Sequence, residues 1–151
     1  MDDPGLKPAT EPTPLRVVAA VMFDGDEILA CRRKADKAAG GFWEFPGGKI
    51  EPGETPESAL IREIREEFDV SIVVDDELTT DVTPVVGGSI ELVCLRAHLE
   101  GARPIDSSDH DRLLWLRATD LDQLEWTAPD QPAVLLVLPS VIRRARYSLV
   151  G

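Results

Sequence analysis

The sequence predicts a mixed α/β fold, and three observations carry that prediction. Short β-prone runs occupy residues 16–23, 27–31 and 42–45, an amphipathic helical run with an acidic face follows at 56–68, and more β-prone runs lead to a closing helical segment. Strands on both sides of a helix, with a second helix at the end, pack as layers of sheet and helix around one core. A length of 151 residues with 43% hydrophobic content suits a single domain.

Each element has a local cause. Residues 1–14 contain Pro4, Pro8, Pro12 and Pro14 with few large apolar side chains, which predicts a disordered leader and leaves 15–151 as the domain. The runs at 16–23 and 27–31 flank Asp24-Gly25, a hairpin signal in which the three-residue gap allows a bulge. A loop over 33–41 leads to the short strand at 42–45 and then to the Pro46-Gly47-Gly48 turn. After the helix, strands are predicted at 70–74, 78–86 and 89–99, the last two joined at Gly87-Gly88, with a further strand at 113–117. Residues 119–124 suit a short helix, and 132–147 a C-terminal helix that Pro139 kinks or interrupts.

The helix at 56–68 has its own punctuation. Thr55 is a favourable N-cap, Pro56 suits the first turn, and Glu57 complements the positive end of the helix dipole. Leu60, Ile61, Ile64 and Phe68 form an apolar stripe, while Glu63, Glu66 and Glu67 share another face. Adjacent like charges repel, so such a face is either fully solvated or holds a cation, and carboxylate oxygens suit Mg2+ or Mn2+.

The wider spacing is more specific than the helix alone. Gly48, five residues, Glu54, seven residues, then Arg62-Glu63-Ile64-x-Glu66-Glu67-x-Asp69-Val70 resembles the Nudix box, GX5EX7REUXEEXGU with U aliphatic. The departure is Asp69 where that family has glycine just beyond the helix. Asp tolerates the left-handed conformation better than most residues, so a small stability cost with retained activity is expected.

This resemblance implies the Nudix fold, a mixed β-sheet sandwiched between α-helices, over residues 15–148. The Trp43-Glu44-Phe45-Pro46-Gly47-Gly48-Lys49 run and the Glu51-Pro52-Gly53-Glu54-Thr55-Pro56 turn look most like the short MutT-type members. Those hydrolyse nucleoside triphosphates to the monophosphate and pyrophosphate with a divalent cation. By resemblance Glu63, Glu66 and Glu67 form the catalytic and metal set, with Mg2+ or Mn2+ as cofactor and the Gly47 carbonyl as a further ligand. Glu67 is the foremost direct ligand, and Glu63 or Glu66 could instead orient or deprotonate the water. Gly48, Glu54 and Arg62 are implied to be structural, the last two as an ion pair joining loop to helix. Lys49 and Arg33 are candidate phosphate contacts, and Arg33 also reads as a solvated strand-end charge.

Residues outside the box bear on substrate choice. Trp126 and Asp130 lie in a segment resembling the base-reading stretch of MutT-like and cytidine-triphosphate-directed relatives, although Asp130 also reads as an ordinary N-cap. Asp109 stands in for the metal-binding Glu that some MutT enzymes carry directly before the tryptophan, where this chain has Leu114 before Trp115. His110 by itself fits a surface or packing histidine, and His98 carries no catalytic signal. The resemblance thus implies a triphosphate pyrophosphohydrolase acting on 8-oxo-dGTP or a cytosine-type triphosphate. Hydrolysis of ADP-ribose or another nucleoside diphosphate derivative, and nucleotide sensing without turnover, are the alternatives.

Composition sets limits. With 16 basic against 28 acidic residues the formal net charge is −12, which disfavours long nucleic acid as a partner. Cys31 and Cys94 lie apart in apolar runs and read as buried thiols rather than a disulfide framework or zinc site. No apolar run approaches membrane-spanning length and the N-terminus is acidic and Pro-rich, so a soluble, cytoplasmic protein is expected, as monomer or homodimer.

Overall fold

The computed structural model describes residues 12–139. Residues 1–11 of the leader expected at 1–14, and the part of the helix expected at 132–147 that follows Pro139, lie outside the described residues. Among the described residues, seven strands and two α-helices run in the order β1 (Leu15–Asp24), β2 (Glu27–Arg33), β3 (Trp43–Glu44), β4 (Gly47–Lys49), α1 (Pro56–Phe68), β5 (Ser71–Val85), β6 (Gly88–Glu100), β7 (His110–Arg117) and α2 (Gln131–Val137). Two 3-10 segments, Ala118–Gln123 and Ala128–Asp130, precede α2.

The sheet is mixed. β1 and β6 pair in parallel from Leu15↔Ile90 to Phe23↔His98, whereas the other strand pairs are antiparallel. β1 and β2 meet only at Phe23↔Ile28 and Asp24↔Glu27, next to the turn. Beyond it they diverge, with β4 pairing β1 at Val17–Ala19 and β3 pairing β2 at Cys31 and Arg32. The glycine turn is thereby carried into the middle of the sheet, where the Ala20 N–H donates to the Pro46 carbonyl at 2.8 Å.

Alternation along the central strands divides the core in two. Val18, Ala20 and Met22 of β1, Leu29 and Cys31 of β2, and Val93 and Leu95 of β6 pack with Ala59, Leu60, Ile64 and Phe68 of α1. The intervening Ala19, Val21, Ile28, Ala30, Leu92 and Cys94 pack with Trp43, Phe45, Leu121, Trp126, Ala133 and Val134 on the opposite face. Strands buried on both faces read as continuous apolar runs, as β1 does. Helices thus cover both faces of a mixed sheet, the expected α/β layering.

Several elements depart from the sequence reading for identifiable reasons. The strands expected at 70–74 and 78–86 are one strand, β5 at Ser71–Val85, whose pairing with β6 shifts register at Val74/Asp76 and again at Glu77/Thr79. Such irregularities let a strand bend without ending, so the charged run between the two β-prone halves does not interrupt it. Ile61 is 45% exposed, since Ala59 joins Leu60, Ile64 and Phe68 on the buried stripe. The short helix expected at 119–124 forms one residue earlier, as a 3-10 helix at Ala118–Gln123. α2 ends at Val137 with Leu138 extended, as the steric demand of the following Pro139 requires. Both cysteines are buried and free.

Candidate active site

α1 starts as its sequence requires. Thr55 Oγ1 accepts the Ser58 N–H and the Ser58 hydroxyl accepts the Thr55 N–H, both at 3.1 Å, forming a capping box. At the other end Asp69 has φ 57°, and its N–H closes on the Arg65 carbonyl at 3.0 Å. The left-handed exit that the Nudix glycine suggests is therefore present with Asp in that place.

Arg62 ties the loop to the helix. Its Nε and Nη2 donate to the two Glu54 carboxylate oxygens at 2.6 and 2.8 Å, and Nη2 also reaches the Lys49 carbonyl at 3.1 Å. Such a fork matches a carboxylate in both charge and geometry. The hydrogen bond from Arg62 is the main cause that lowers the Glu54 pKa to about 2. Arg62 Nη1 turns the other way, toward Glu63 at 3.1 Å and Glu66 at 3.3 Å.

The two box glycines are required for different reasons. A Cβ on Gly47 would lie 1.9 Å from the Val18 carbonyl oxygen, so strand pairing needs the bare backbone there. A Cβ on Gly48 would lie 2.2 Å from the Glu63 carboxyl carbon, so this glycine seats the Glu63 carboxylate against the loop. Burial raises the Glu63 pKa, with Arg62 pulling in the opposite direction and Glu66 and Glu67 adding to the rise. The Glu66 side chain is 62% exposed and that of Glu67 only 5%.

Glu67 is held by residues far from α1 in sequence. The Ser107 hydroxyl donates to Glu67 Oε2 at 2.6 Å, and His110 Nδ1 lies 2.8 Å from the same oxygen and 2.9 Å from Ser107 Oγ. His110 Nε2 faces Glu44 Oε2 at 2.8 Å, and Arg33 Nη1 donates to both Glu44 oxygens at 3.0 and 3.2 Å. A register shift between Arg32 and Arg33 sets Arg33 opposite His110 across β2 and β7. Irregularities of this kind re-aim side chains beside functional sites. Burial opposes a charge on His110, but the hydrogen bonds and negative charges of Glu44 and Glu67 outweigh it and push its pKa up to about 9.

Outside this cluster the candidates separate. Asp109 is not brought to the carboxylates: the strap before β7 turns its 56%-exposed side chain to Lys37, 3.7 Å away, while the neighbouring His110 points inward. Lys49 is exposed at the end of β4. On the opposite face of the sheet, Trp43 pairs through its backbone with the chain at 125–127, and Asp130 accepts the Phe45 N–H at 3.1 Å and the Thr127 hydroxyl. It makes no N-cap hydrogen bond to α2. Burial pushes the Asp130 pKa up to about 7 against the opposing bond from Thr127. Trp126 packs on Phe45 with ring centres 4.6 Å apart and donates its indole N–H to the Leu121 carbonyl at 2.7 Å. Trp126 also lines a cleft of about 290 Å3 with Phe42, Leu124, Gln131 and Leu135, to which neither Asp130 nor α1 contributes.

Glu44, Ser107 and His110, which the sequence did not single out as site candidates, join the cluster around Glu67. Glu44 lies in a recognisable run, but nothing local to it announces a partner 66 residues away. The acidic neighbours of His110 gave the available signal, and of the Asp109-His110 pair it is His110 whose side chain reaches Glu67.

A mixed sheet between helices, with a glycine loop feeding an acidic helix face, defines a hydrolase of the Nudix class. The chain belongs to the NUDIX domain family, which matches residues 13–137. It is 34% identical over 118 residues to the putative 8-oxo-dGTP diphosphatase 2 of Mycobacterium tuberculosis, covering 76% of this chain and 82% of that protein. With the CTP pyrophosphohydrolase of Escherichia coli it shares 32% identity over 133 residues, 87% of this chain and 96% of the relative. Among solved structures, the MutT NUDIX hydrolase from Burkholderia pseudomallei superposes with a TM-score of 0.74 at 25% identity, covering 83% of this chain and 99% of that one. Hydrolases of this family generally use divalent metal ions. No helix among the described residues is long and apolar enough to cross a membrane.

Proposed function

We propose that the protein is a Mg2+-dependent nucleoside triphosphate pyrophosphohydrolase of MutT type, with Mn2+ able to substitute, acting on the nucleotide pool of the cytoplasm. The observation that carries this reading is the seating of the Glu63 carboxylate against Gly48, beside Glu66 and Glu67 on one helix face. Among the described residues no three acidic, His or Cys side chains stand close enough together to hold an ion as they are placed. Glu63 and Glu66 lean on Arg62, and Glu67 on Ser107 and His110. The donor set nevertheless fits: every candidate ligand is a hard oxygen, Glu66 is solvent-exposed, and the Gly47 carbonyl adds a neutral oxygen.

A divalent cation held by Glu63, Glu66 and Glu67 would neutralise the crowded phosphate oxygens and make water a better nucleophile. The chain's own residues do the rest. Glu63, Glu66 and Glu67 are the residues that would hold the cation, and a carboxylate among them takes a proton from the attacking water. The water oxygen bonds to phosphorus, the phosphoanhydride P–O bond breaks, and pyrophosphate leaves a nucleoside monophosphate. Arg62 and Glu54 keep loop and helix in register, while Lys49 and Arg33 offer positive charge to phosphate. Arg33 does so from its pairing with Glu44. Asp130 and Trp126 are proposed to act on the base side, where a carboxyl with a pKa near 7 both accepts and donates hydrogen bonds.

The two relatives' names direct the first substrates: an 8-oxopurine deoxynucleoside triphosphate and CTP or a modified dCTP. A panel of these with ordinary nucleoside triphosphates and ADP-ribose, incubated with Mg2+ or Mn2+ and resolved by product, tests the reading. Nucleoside monophosphate and pyrophosphate in equal amounts are expected. AMP and ribose phosphate from ADP-ribose as the dominant turnover would move the protein to the nucleoside diphosphate derivatives. Metal-dependent binding without product from any member would make it a sensor.

A further inference from the structure

We infer that Ser107 and His110 are positioning residues that clamp Glu67 in the orientation needed to ligate the divalent cation, and that they tie this carboxylate to the Glu44–Arg33 pair. The inference rests on the proposed metal-dependent reading and deepens it.

The geometry is specific. Glu67 Oε2 receives two donors from the strap and the start of β7: the Ser107 hydroxyl at 2.6 Å and His110 Nδ1 at 2.8 Å. Both converge on one oxygen. The Ser107 hydroxyl oxygen also accepts the Asp109 N–H at 3.2 Å, which fixes its rotor relative to the strap backbone. His110 has little freedom of its own, since its side chain is 3% exposed, stacks on Phe68 with ring centres 6.1 Å apart, and is pinned at Nε2 by Glu44. Glu44 is held in turn by Arg33, whose Nε donates to the Ala38 carbonyl at 2.6 Å.

A buried carboxylate with two donors on one oxygen presents the other oxygen in a fixed direction. Glu66, exposed and shared only with Arg62, has no such constraint. Partners of metal-ligating groups commonly alter metal affinity or activity about 10- to 100-fold when removed. The chain from Arg33 through Glu44 and His110 to Glu67 also joins the candidate phosphate contact to the metal face.

The test compares wild type with Ser107→Ala, Ser107→Thr and His110→Gln, each first checked for a cooperative melt. Mn2+ binding is read by electron paramagnetic resonance without nucleotide, and kcat and KM are measured at saturating Mg2+. Ser107→Ala and His110→Gln should weaken Mn2+ binding about tenfold or more and lower kcat with KM little changed, while Ser107→Thr, which keeps the hydroxyl, restores most of both. If His110→Gln does not fold, the alanine and threonine pair at Ser107 carries the test. A folded Ser107→Ala protein with Mn2+ affinity and kcat within about twofold of wild type, well short of the tenfold loss expected, overturns the clamp while leaving the proposed function standing. A wild-type protein that binds no Mn2+ overturns the metal reading itself, and the clamp with it.

Discussion

The two halves of the site are built in opposite ways. The loop and helix from Gly47 to Phe68 form one half from contiguous chain, with Arg62 reaching Glu54 only eight residues away. The other half comes from scattered chain: Ser107 meets Glu67 across 40 residues, His110 meets Glu44 across 66, and Asp130 meets Phe45 across 85. The local half is readable from spacing, because helical periodicity sets which side chains of α1 share a face. The distant half depends on strand register and on one irregularity in β2, so it is available only once the sheet is complete.

The largest contrast is expected within the local half itself, between its two adjacent glycines. Gly47→Ala forces a Cβ onto the backbone of β1, and a loss of about 3 kcal/mol or more is expected. Gly48→Ala instead meets the movable end of Glu63, so the protein should still fold while turnover falls about 10- to 100-fold through the displaced carboxylate. Paired melts and rates check this. Equal damage to stability in both variants would show that Gly48 serves the loop rather than Glu63.

Arg62→Gln should cost about 1–2 kcal/mol, since a partly exposed charged fork is worth less than a buried one. The loss is to be read from denaturant midpoints at neutral pH. If it disappears, Glu54 holds the loop without its partner.

Asp130 offers a contrast in pH. Its folded pKa of about 7 lies above its ordinary value of 3.8, so its contribution to stability is fully present below the lower value and is lost as pH rises through the higher. Asp130→Asn keeps an acceptor for the Phe45 N–H without that proton linkage. The variant should therefore gain on wild type in melting temperature between about pH 4 and pH 7, with the gap constant above that. Parallel pH profiles would place the Asp130 carboxyl in a more polar environment. The smallest effect is at the helix exit, where Asp69→Gly should stabilise by about 0.5 kcal/mol, because Asp already adopts the left-handed conformation. A denaturant titration resolves it, and a loss of stability would mean that the Asp69 side chain contributes a contact of its own.

How much was legible in the sequence follows the same division. α1 runs over Pro56–Phe68 as its cap, its first-turn proline and its periodicity predict, and the hairpin at Asp24-Gly25 forms. The division of β5 failed because a bent strand tolerates charged residues on its open edge. β4 was invisible because glycines in a turn carry no β signal until a neighbouring strand pairs with them. At the site, the Glu54–Arg62 pairing is local and was readable. Strand pairing decides which neighbour in the Asp109-His110 dipeptide faces inward, and the sequence pattern favoured the exposed one. The N-cap alternative for Asp130 failed for a related reason, since a 3-10 turn before α2 directs its carboxylate to Phe45.

The proposed phosphoanhydride hydrolysis requires the carboxylates of α1 as holders of a divalent cation. Mg2+-dependent turnover of the best triphosphate by Glu67→Gln, with the fold verified by its melt, tests that claim most directly. A fall of about 10^3-fold in kcat, with pyrophosphate still the product of the residual activity, is the expected result. A folded variant with undiminished Mg2+-dependent activity would contradict it.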